Sequence, residues 1–78
     1  MIQENIFGGK PRTRIGKWLD VRGISQEWLV SKTKISRTTI SKISSDNDYS
    51  PTLPTIKKIM RAIREVDPAA RADDFFDM

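Results

Sequence analysis

Two short helical segments separated by only three residues constrain this fold more than any other feature of the chain. The first is expected over residues 26–33 and the second over residues 37–44, with Ser36 as the N-cap of the second. Ile40 and Ile43 stand three residues apart, which places them on one face of a helix but on opposite faces of a strand. Periodicity therefore favours a helix here, although the β-branched residues of this segment have strand propensity.

A further helix is predicted before this pair. It begins near residue 12 or 13, and Gly23 ends it where a left-handed C-terminal residue is favoured. The apolar residues of its buried face are Ile15, Trp18 and Leu19. Gly16 weakens a helix by about 1 kcal/mol relative to Ala. We therefore expect packing or a close neighbour to offset that cost.

Two more helices follow a polar loop at residues 44–50. Thr52 is expected to cap a helix from Leu53 to about Val66, with apolar residues at helical spacing. These residues are Leu53, Ile56, Ile59, Met60 and Ile63. Asp67 and Pro68 are expected to begin a last short helix that carries Phe75 and Phe76. The predicted fold class is all-α, a compact bundle of about five short helices that contains a helix-turn-helix.

Two residue types are absent from the sequence, and their absence narrows the classes of function that the chain can have. The 78 residues include no Cys and no His, which argues against disulfides, thiol nucleophiles, zinc sites and imidazole catalysis. The ten carboxylates are scattered along the chain, so we expect no enzyme, no metal and no cofactor. No apolar run approaches the ~20 residues of a membrane span, and no signal peptide is recognisable. The expectation is a soluble cytoplasmic protein without a membrane partner.

Charge is unevenly distributed along the chain. Residues 8–45 carry nine basic and two acidic side chains, whereas the last dozen residues are acidic. A basic front half favours a polyanionic partner. We expect residues 1–11, which contain two glycines and Lys10, to form a flexible basic arm. Residues 12–78 are expected to form a single domain with an acidic C-terminal end.

The second helix of the pair presents side chains suited to a nucleic acid. Arg37, Thr38, Ser41 and Lys42 lie opposite the isoleucines, in rows four residues apart. Arg and Lys donate to guanine O6 and N7, and hydroxyl groups bind base edges or phosphate oxygens. The alternative is a solvated helix without a partner. Six Ser and Thr residues at positions 36–45 are poor helix formers, so stability alone does not explain them.

At these residues the chain resembles the lambda-repressor-like helix-turn-helix family, the Cro/Xre type of bacterial and phage regulators. The resemblance runs from about Arg14 to Ile63. Residue types line up at positions 23–27, 29, 35–43, 51–53 and 55–56. It implies a five-helix bundle whose third helix, from Arg37 to about Ser44, enters the major groove of double-stranded DNA.

The resemblance also implies which residues face DNA. The position of Gln26 contacts phosphate, and five positions around the third helix face DNA: Ser36, Arg37, Thr38, Ser41 and Lys42. The following loop touches the DNA backbone, which adds Ser45 and Asn47. From charge alone we add the basic residues of the arm and its continuation, Lys10, Arg12 and Arg14.

Three residues depart from the family pattern. Lys34 stands where the turn prefers Gly, and holding it at positive φ would cost about 1 kcal/mol. Val30 replaces a smaller Ala that packs on the third helix, so the two helices are expected slightly further apart. Asp46 and Asp48 in the loop would repel phosphate, so the loop either stands away from DNA or reads a cytosine amino group.

Three groups outside this region have two interpretations each. Trp18 and Trp28 are interpreted as core residues rather than as base-stacking residues, because of their helical spacing. The basic face formed by Lys57, Lys58, Arg61 and Arg64 is interpreted as solvated, with a secondary phosphate role as the alternative. Phe75 and Phe76 either cap the core or make a dimer contact, and we favour the core.

Two functions from different classes fit these features. The first is a sequence-specific double-stranded DNA-binding transcriptional regulator, a repressor of phage or mobile-element type. If it were a homodimer, it would bind half-sites about 34 Å apart. The second is a protein-interaction module on the same fold, such as an antitoxin or anti-regulator. In that case the acidic C-terminal end would hold a protein partner.

Overall fold

Four α-helices and one short 3₁₀ helix form the part of the chain that this computed structural model describes, residues 12–77. In chain order they are α1 (Arg14–Arg22), α2 (Gln26–Thr33), α3 (Arg37–Ser45), α4 (Leu53–Val66) and the 3₁₀ helix Ala72–Asp74. Within these residues there is no strand. The predicted all-α class is confirmed, and the bounds of the first four helices agree with the prediction to within two residues.

The prediction of a fifth helix after Asp67 is wrong. Asp67 is the C-cap of α4, its N–H donating to the Ile63 carbonyl at 2.9 Å. The Ala70 N–H donates to the carbonyl of Asp67, three residues back, at 3.0 Å, which forms a turn. The Ala70 carbonyl accepts instead from the Arg64 side chain at 2.9 Å, so it is not used to propagate an α-helix. The described residues thus contain four α-helices rather than about five.

Local capping accounts for most helix ends. The Thr13 hydroxyl accepts from the Gly16 N–H at 3.1 Å and begins α1. Gly23 ends α1 at φ 66°, the left-handed conformation predicted for it. Ser25 and Thr52 occupy the predicted N-cap positions of α2 and α4, but neither side chain makes the capping bond. The Thr52 hydroxyl donates instead to the Thr55 hydroxyl at 3.1 Å.

Every α-helix contributes to one hydrophobic core. Its buried members are Ile15, Trp18, Leu19, Leu29, Ile40, Ile43, Ile56, Ile59, Met60, Ala62, Ile63 and Ala70. Trp18 packs beside Trp28 and meets the edge of Phe75, with ring centres 6.5 and 6.4 Å away. Phe76 also packs against the core. The interpretation of both tryptophans and both phenylalanines as core residues is confirmed.

Within residues 12–77, the helices are too short or too polar to cross a lipid bilayer.

Candidate nucleic-acid interface

The two faces of α3 differ in burial as its sequence predicts. Ile40 and Ile43 are 0% and 3% exposed and hold the helix on the core. The opposite side leaves four polar side chains in solvent: Arg37, Thr38, Ser41 and Lys42. Ser36, the N-cap, is also exposed, and its hydroxyl accepts from the Thr39 N–H at 3.2 Å. A helix anchored on one face therefore presents a basic, hydroxyl-rich surface on the other.

The C-terminal end of α3 is fixed by the residue that begins α1. The Thr13 N–H donates to the Ser44 carbonyl at 3.1 Å, and the Thr13 hydroxyl donates to the Ile43 carbonyl at 2.6 Å. The last carbonyls of a helix have no partner within the helix, and buried ones are costly when unpaired. Thr13 therefore satisfies two of these carbonyls while it caps its own helix.

Gly16 explains how closely α1 and α3 approach. A β-carbon at this position would clash with the Ser44 carbonyl oxygen, a backbone atom that cannot move aside on its own. The offsetting neighbour expected from the sequence is thus the end of α3. Absence of a side chain at Gly16 lets α1 support α3 by direct backbone contact.

The turn between α2 and α3 has the conformation predicted for Lys34. This residue has φ 61°, and its N–H donates to the Val30 carbonyl at 2.9 Å. It is the only non-Gly residue with positive φ between residues 12 and 77. Buried Thr33 stabilises the turn from inside, because its hydroxyl donates to the Leu29 carbonyl at 2.6 Å and accepts from the Ile35 N–H at 3.2 Å.

An ion pair with Glu27 of α2 restrains Arg37 at the start of α3. The Glu27 carboxylate accepts from Arg37 Nε through one oxygen and from Nη2 through the other, the latter at 2.6 Å. Both side chains are exposed, 58% for Glu27 and 70% for Arg37. The hydrogen bond from Arg37 lowers the pKa of Glu27, and the same bond raises the pKa of Arg37. Sequence reasoning missed this pair, since it joins two helices across a turn and follows no helical spacing.

The loop after α3 is ordered by its own side chains. The Asp46 carboxylate accepts from the Asp48 N–H at 2.9 Å, which closes a local turn. Lys42 lies 5.9 Å from the centre of the Tyr49 ring. Asn47 is exposed beside them. The predicted site residues Lys42 and Asn47 therefore lie at the same end of the exposed α3 surface, together with a carboxylate already engaged by the loop.

The three basic residues predicted from charge alone, at and before the start of α1, differ in what the structure shows of them. Arg12 binds both carboxylate oxygens of Asp20 at 3.0 Å and donates to the Ser45 hydroxyl at 3.0 Å. Arg14 pairs with Asp77 at 2.9 Å, on the surface. Lys10 and the predicted arm lie outside the described residues. The structure thus brings Arg12 to the C-terminal end of α3 but engages it in intramolecular bonds.

Gln26 lies at the start of α2 and is half-buried. The preceding Ser25 makes no side-chain capping bond to this helix. The first N–H groups of a helix have no partner inside it and lie at its positive end. A phosphate oxygen is a suitable partner for such groups.

Comparison with known protein families gives one finding. Residues 14–65 match the model of the Cro/C1-type HTH DNA-binding domain. That range covers all four α-helices and ends just before the last residue of α4. Searches of curated proteins and of solved structures returned no significant match.

Proposed function

Because the chain belongs to the family of Cro/C1-type helix-turn-helix DNA-binding domains, we propose that it is a sequence-specific transcriptional regulator that inserts α3 into the major groove of duplex DNA. The observation that carries the proposal is the exposed row of α3: Arg37, Thr38, Ser41 and Lys42. Their helix is held by the buried isoleucines on its other face and by Thr13 at its end. A rigid helix with short polar side chains can approach base edges closely.

The roles follow from side-chain chemistry. Arg37 and Lys42 donate to guanine, while Thr38 and Ser41 bind base edges or phosphate through their hydroxyl groups. Ser36 faces the same groove from the N-cap position. Base contacts of this kind specify the sequence that is bound.

Residues on both sides of the exposed face of α3 contact DNA phosphates. Gln26 and the N–H groups at the start of α2 bind phosphate on one side of α3. Ser45 and Asn47 contact the backbone from the other end. Phosphate contacts fix the register of the protein on the duplex but carry no sequence information directly.

Arg12, Arg14 and Lys10 add a longer-range electrostatic contribution. Arg14 exchanges Asp77 for a phosphate at small cost, because exposed ion pairs stabilise a fold by roughly 0–1 kcal/mol. Arg12 contributes its charge while it holds Asp20 and Ser45. Lys10, within the proposed basic arm, strengthens binding to all duplexes alike.

We propose repression by occupancy, in which a homodimer covers two half-sites about 34 Å apart. A role as a protein-interaction module has less support. Its proposed anchor was the C-terminal end, yet Phe75 and Phe76 pack against the core and Asp77 pairs with Arg14. The two aromatic side chains are therefore engaged within the domain.

Selection of bound duplexes from a random pool tests the proposal. The expected result is enrichment of one sequence, arranged as an inverted repeat if the protein binds as a dimer. Recovery of duplexes without any common sequence would contradict sequence-specific binding.

A further inference from the structure

The ion pair between Glu27 and Arg37 occupies only one edge of the guanidinium. An arginine side chain has five N–H donors in a planar fork. Glu27 accepts from Nε and from Nη2. The remaining donors are the two hydrogens of Nη1 and the second hydrogen of Nη2. One hydrogen of Nη1 and the second hydrogen of Nη2 form the outer edge of the fork, which can donate to guanine O6 and N7 in a bidentate contact.

A carboxylate in the first turn of α2 stabilises that helix through its dipole, but this effect does not require a partner on α3. Both partners are more than half exposed, and ion pairs between exposed side chains contribute little to folding. A carboxylate at the edge of a DNA-binding surface also repels phosphate. Its geometric effect, in contrast, is specific: one side chain of α2 fixes the plane of a guanidinium at the first turn of α3.

We propose that Glu27 is a positioning residue for sequence recognition, which holds Arg37 with its outer edge toward the groove so that the arginine reads guanine. This role rests on the proposed function. Arginine loses considerable rotamer freedom when it is fixed, and pre-ordering in the free protein removes part of that cost from binding. The pair persists through neutral pH, since the hydrogen bond from Arg37 lowers the pKa of Glu27.

The proposal predicts opposite effects on affinity and on discrimination. In the Glu27→Gln variant a negative charge is lost near phosphate, so affinity for random duplex is retained or raised. The neutral amide offers one carbonyl oxygen in place of two carboxylate oxygens, so Arg37 is no longer held bidentately. Preference for guanine at the base pair that Arg37 reads should fall about fivefold or more.

The test uses the full chain and a duplex obtained by selection. Each guanine of that duplex is replaced in turn by adenine, and separately by 7-deazaguanine, which lacks the N7 acceptor. The Arg37→Ala variant identifies the base pair that this residue reads. The affinity ratio between guanine and its replacement at that pair is then measured for Glu27→Gln, alone and in the Arg37→Ala background.

Glu65→Gln is the matched control. Glu65 pairs with Lys32 at 2.8 Å and is 52% exposed, so the substitution removes the same charge from a similar ion pair outside the proposed interface. We expect Glu65→Gln to keep the guanine preference and Glu27→Gln to reduce it, with only small changes in thermal stability in both variants. In the Arg37→Ala background, Glu27→Gln should have no further effect on the ratio.

Two outcomes overturn the proposal and are distinguishable. An unchanged or increased guanine preference in Glu27→Gln, with duplex binding intact, contradicts the positioning role alone. Absence of duplex binding by the wild-type protein contradicts the proposed function, and the positioning role with it.

Discussion

Gly16 of α1 lies against the backbone carbonyl of Ser44 in the last turn of α3, at a separation that leaves no room for a β-carbon. The hydrogen bonds from Thr13 to the Ile43 and Ser44 carbonyls are made in the same place. The position of α3 is therefore determined by α1 as well as by the hydrophobic core. Any change at this contact should shift or loosen the surface that α3 presents.

Gly16→Ala should destabilise the fold even though Ala favours a helix. The gain in helix propensity is about 1 kcal/mol. The added methyl group forces α1 and α3 apart, and such overpacking costs about 1–3 kcal/mol before the strain on the Thr13 bonds is counted. Urea unfolding should show a net loss of stability. Lys17→Ala, at the exposed neighbouring position, is the control and should change stability little. A Gly16→Ala protein more stable than wild type would contradict the close contact.

Lys34→Gly should stabilise the protein by about 1 kcal/mol, because a non-Gly residue at φ 61° carries a steric penalty that glycine avoids. Gly23→Ala is the mirror experiment. Gly23 has nearly the same φ, 66°, and open space around its missing β-carbon, so only backbone strain is added. It should lose a similar amount of stability. Thermal unfolding measures the stability of both variants. A change of the same sign in the two melting temperatures would contradict a steric penalty at positive φ.

The sequence predicted these backbone features because each depends on local rules. Gly16 was identified as an unfavourable residue inside a helix, and Lys34 as a non-glycine residue at a turn that favours positive φ. Both predictions depend only on residues close to Gly16 and Lys34 in the sequence. The failed prediction at Asp67 had a different origin. A Pro after an N-cap residue is a typical helix start, but the Ala70 carbonyl bonds to Arg64 of the preceding helix, which no local pattern reveals.

Removal of Arg37 should raise the pKa of Glu27. The hydrogen bond from Arg37 lowers the pKa of this carboxyl in the folded protein; desolvation opposes it with a smaller effect, and the Coulombic attraction of Arg37 lowers the pKa slightly further. A carboxyl with a lowered folded pKa stabilises the protein above its unfolded pKa and loses that contribution as the pH falls through the folded value. The pair should thus be intact at neutral pH and break only in acid. NMR titration of the Glu27 carboxyl in wild type and Arg37→Ala measures the shift, and equal midpoints would show that the pair does not form in solution.

Arg37→Ala and Lys42→Ala should each reduce discrimination between the selected duplex and its single-base variants, by about 1–3 kcal/mol for a lost bidentate contact. Lys58→Ala, an exposed residue of α4, should leave discrimination unchanged. Competition binding with labelled duplex gives, for each of the three protein variants, the ratio of its affinities for the selected duplex and for the single-base variants. Equal losses in all three variants would mean that the α3 residues contribute charge only.

How far the candidate site was predictable depends on the kind of contact. The exposed row of α3 follows from helical periodicity, which reads directly from the sequence. The engagement of Arg12 with Asp20 and Ser45, of Arg14 with Asp77 and of Arg37 with Glu27 requires tertiary structure. Charge identified Arg12 and Arg14 as candidates for phosphate contacts, and helical position identified Arg37 as a candidate for base contacts. Neither could show that each arginine has a carboxylate partner in the structure.

Binding of duplex DNA through α3 and the phosphate contacts around it is measured by the salt dependence of affinity for the selected duplex. Displacement of counterions from three or more phosphates predicts that log affinity falls with log salt concentration at a slope of about −3 or steeper. A protein that uses this surface for another purpose would bind the duplex weakly, with a slope much shallower than about −3. We expect the steep slope; a flat response would show that the protein does not bind duplex DNA.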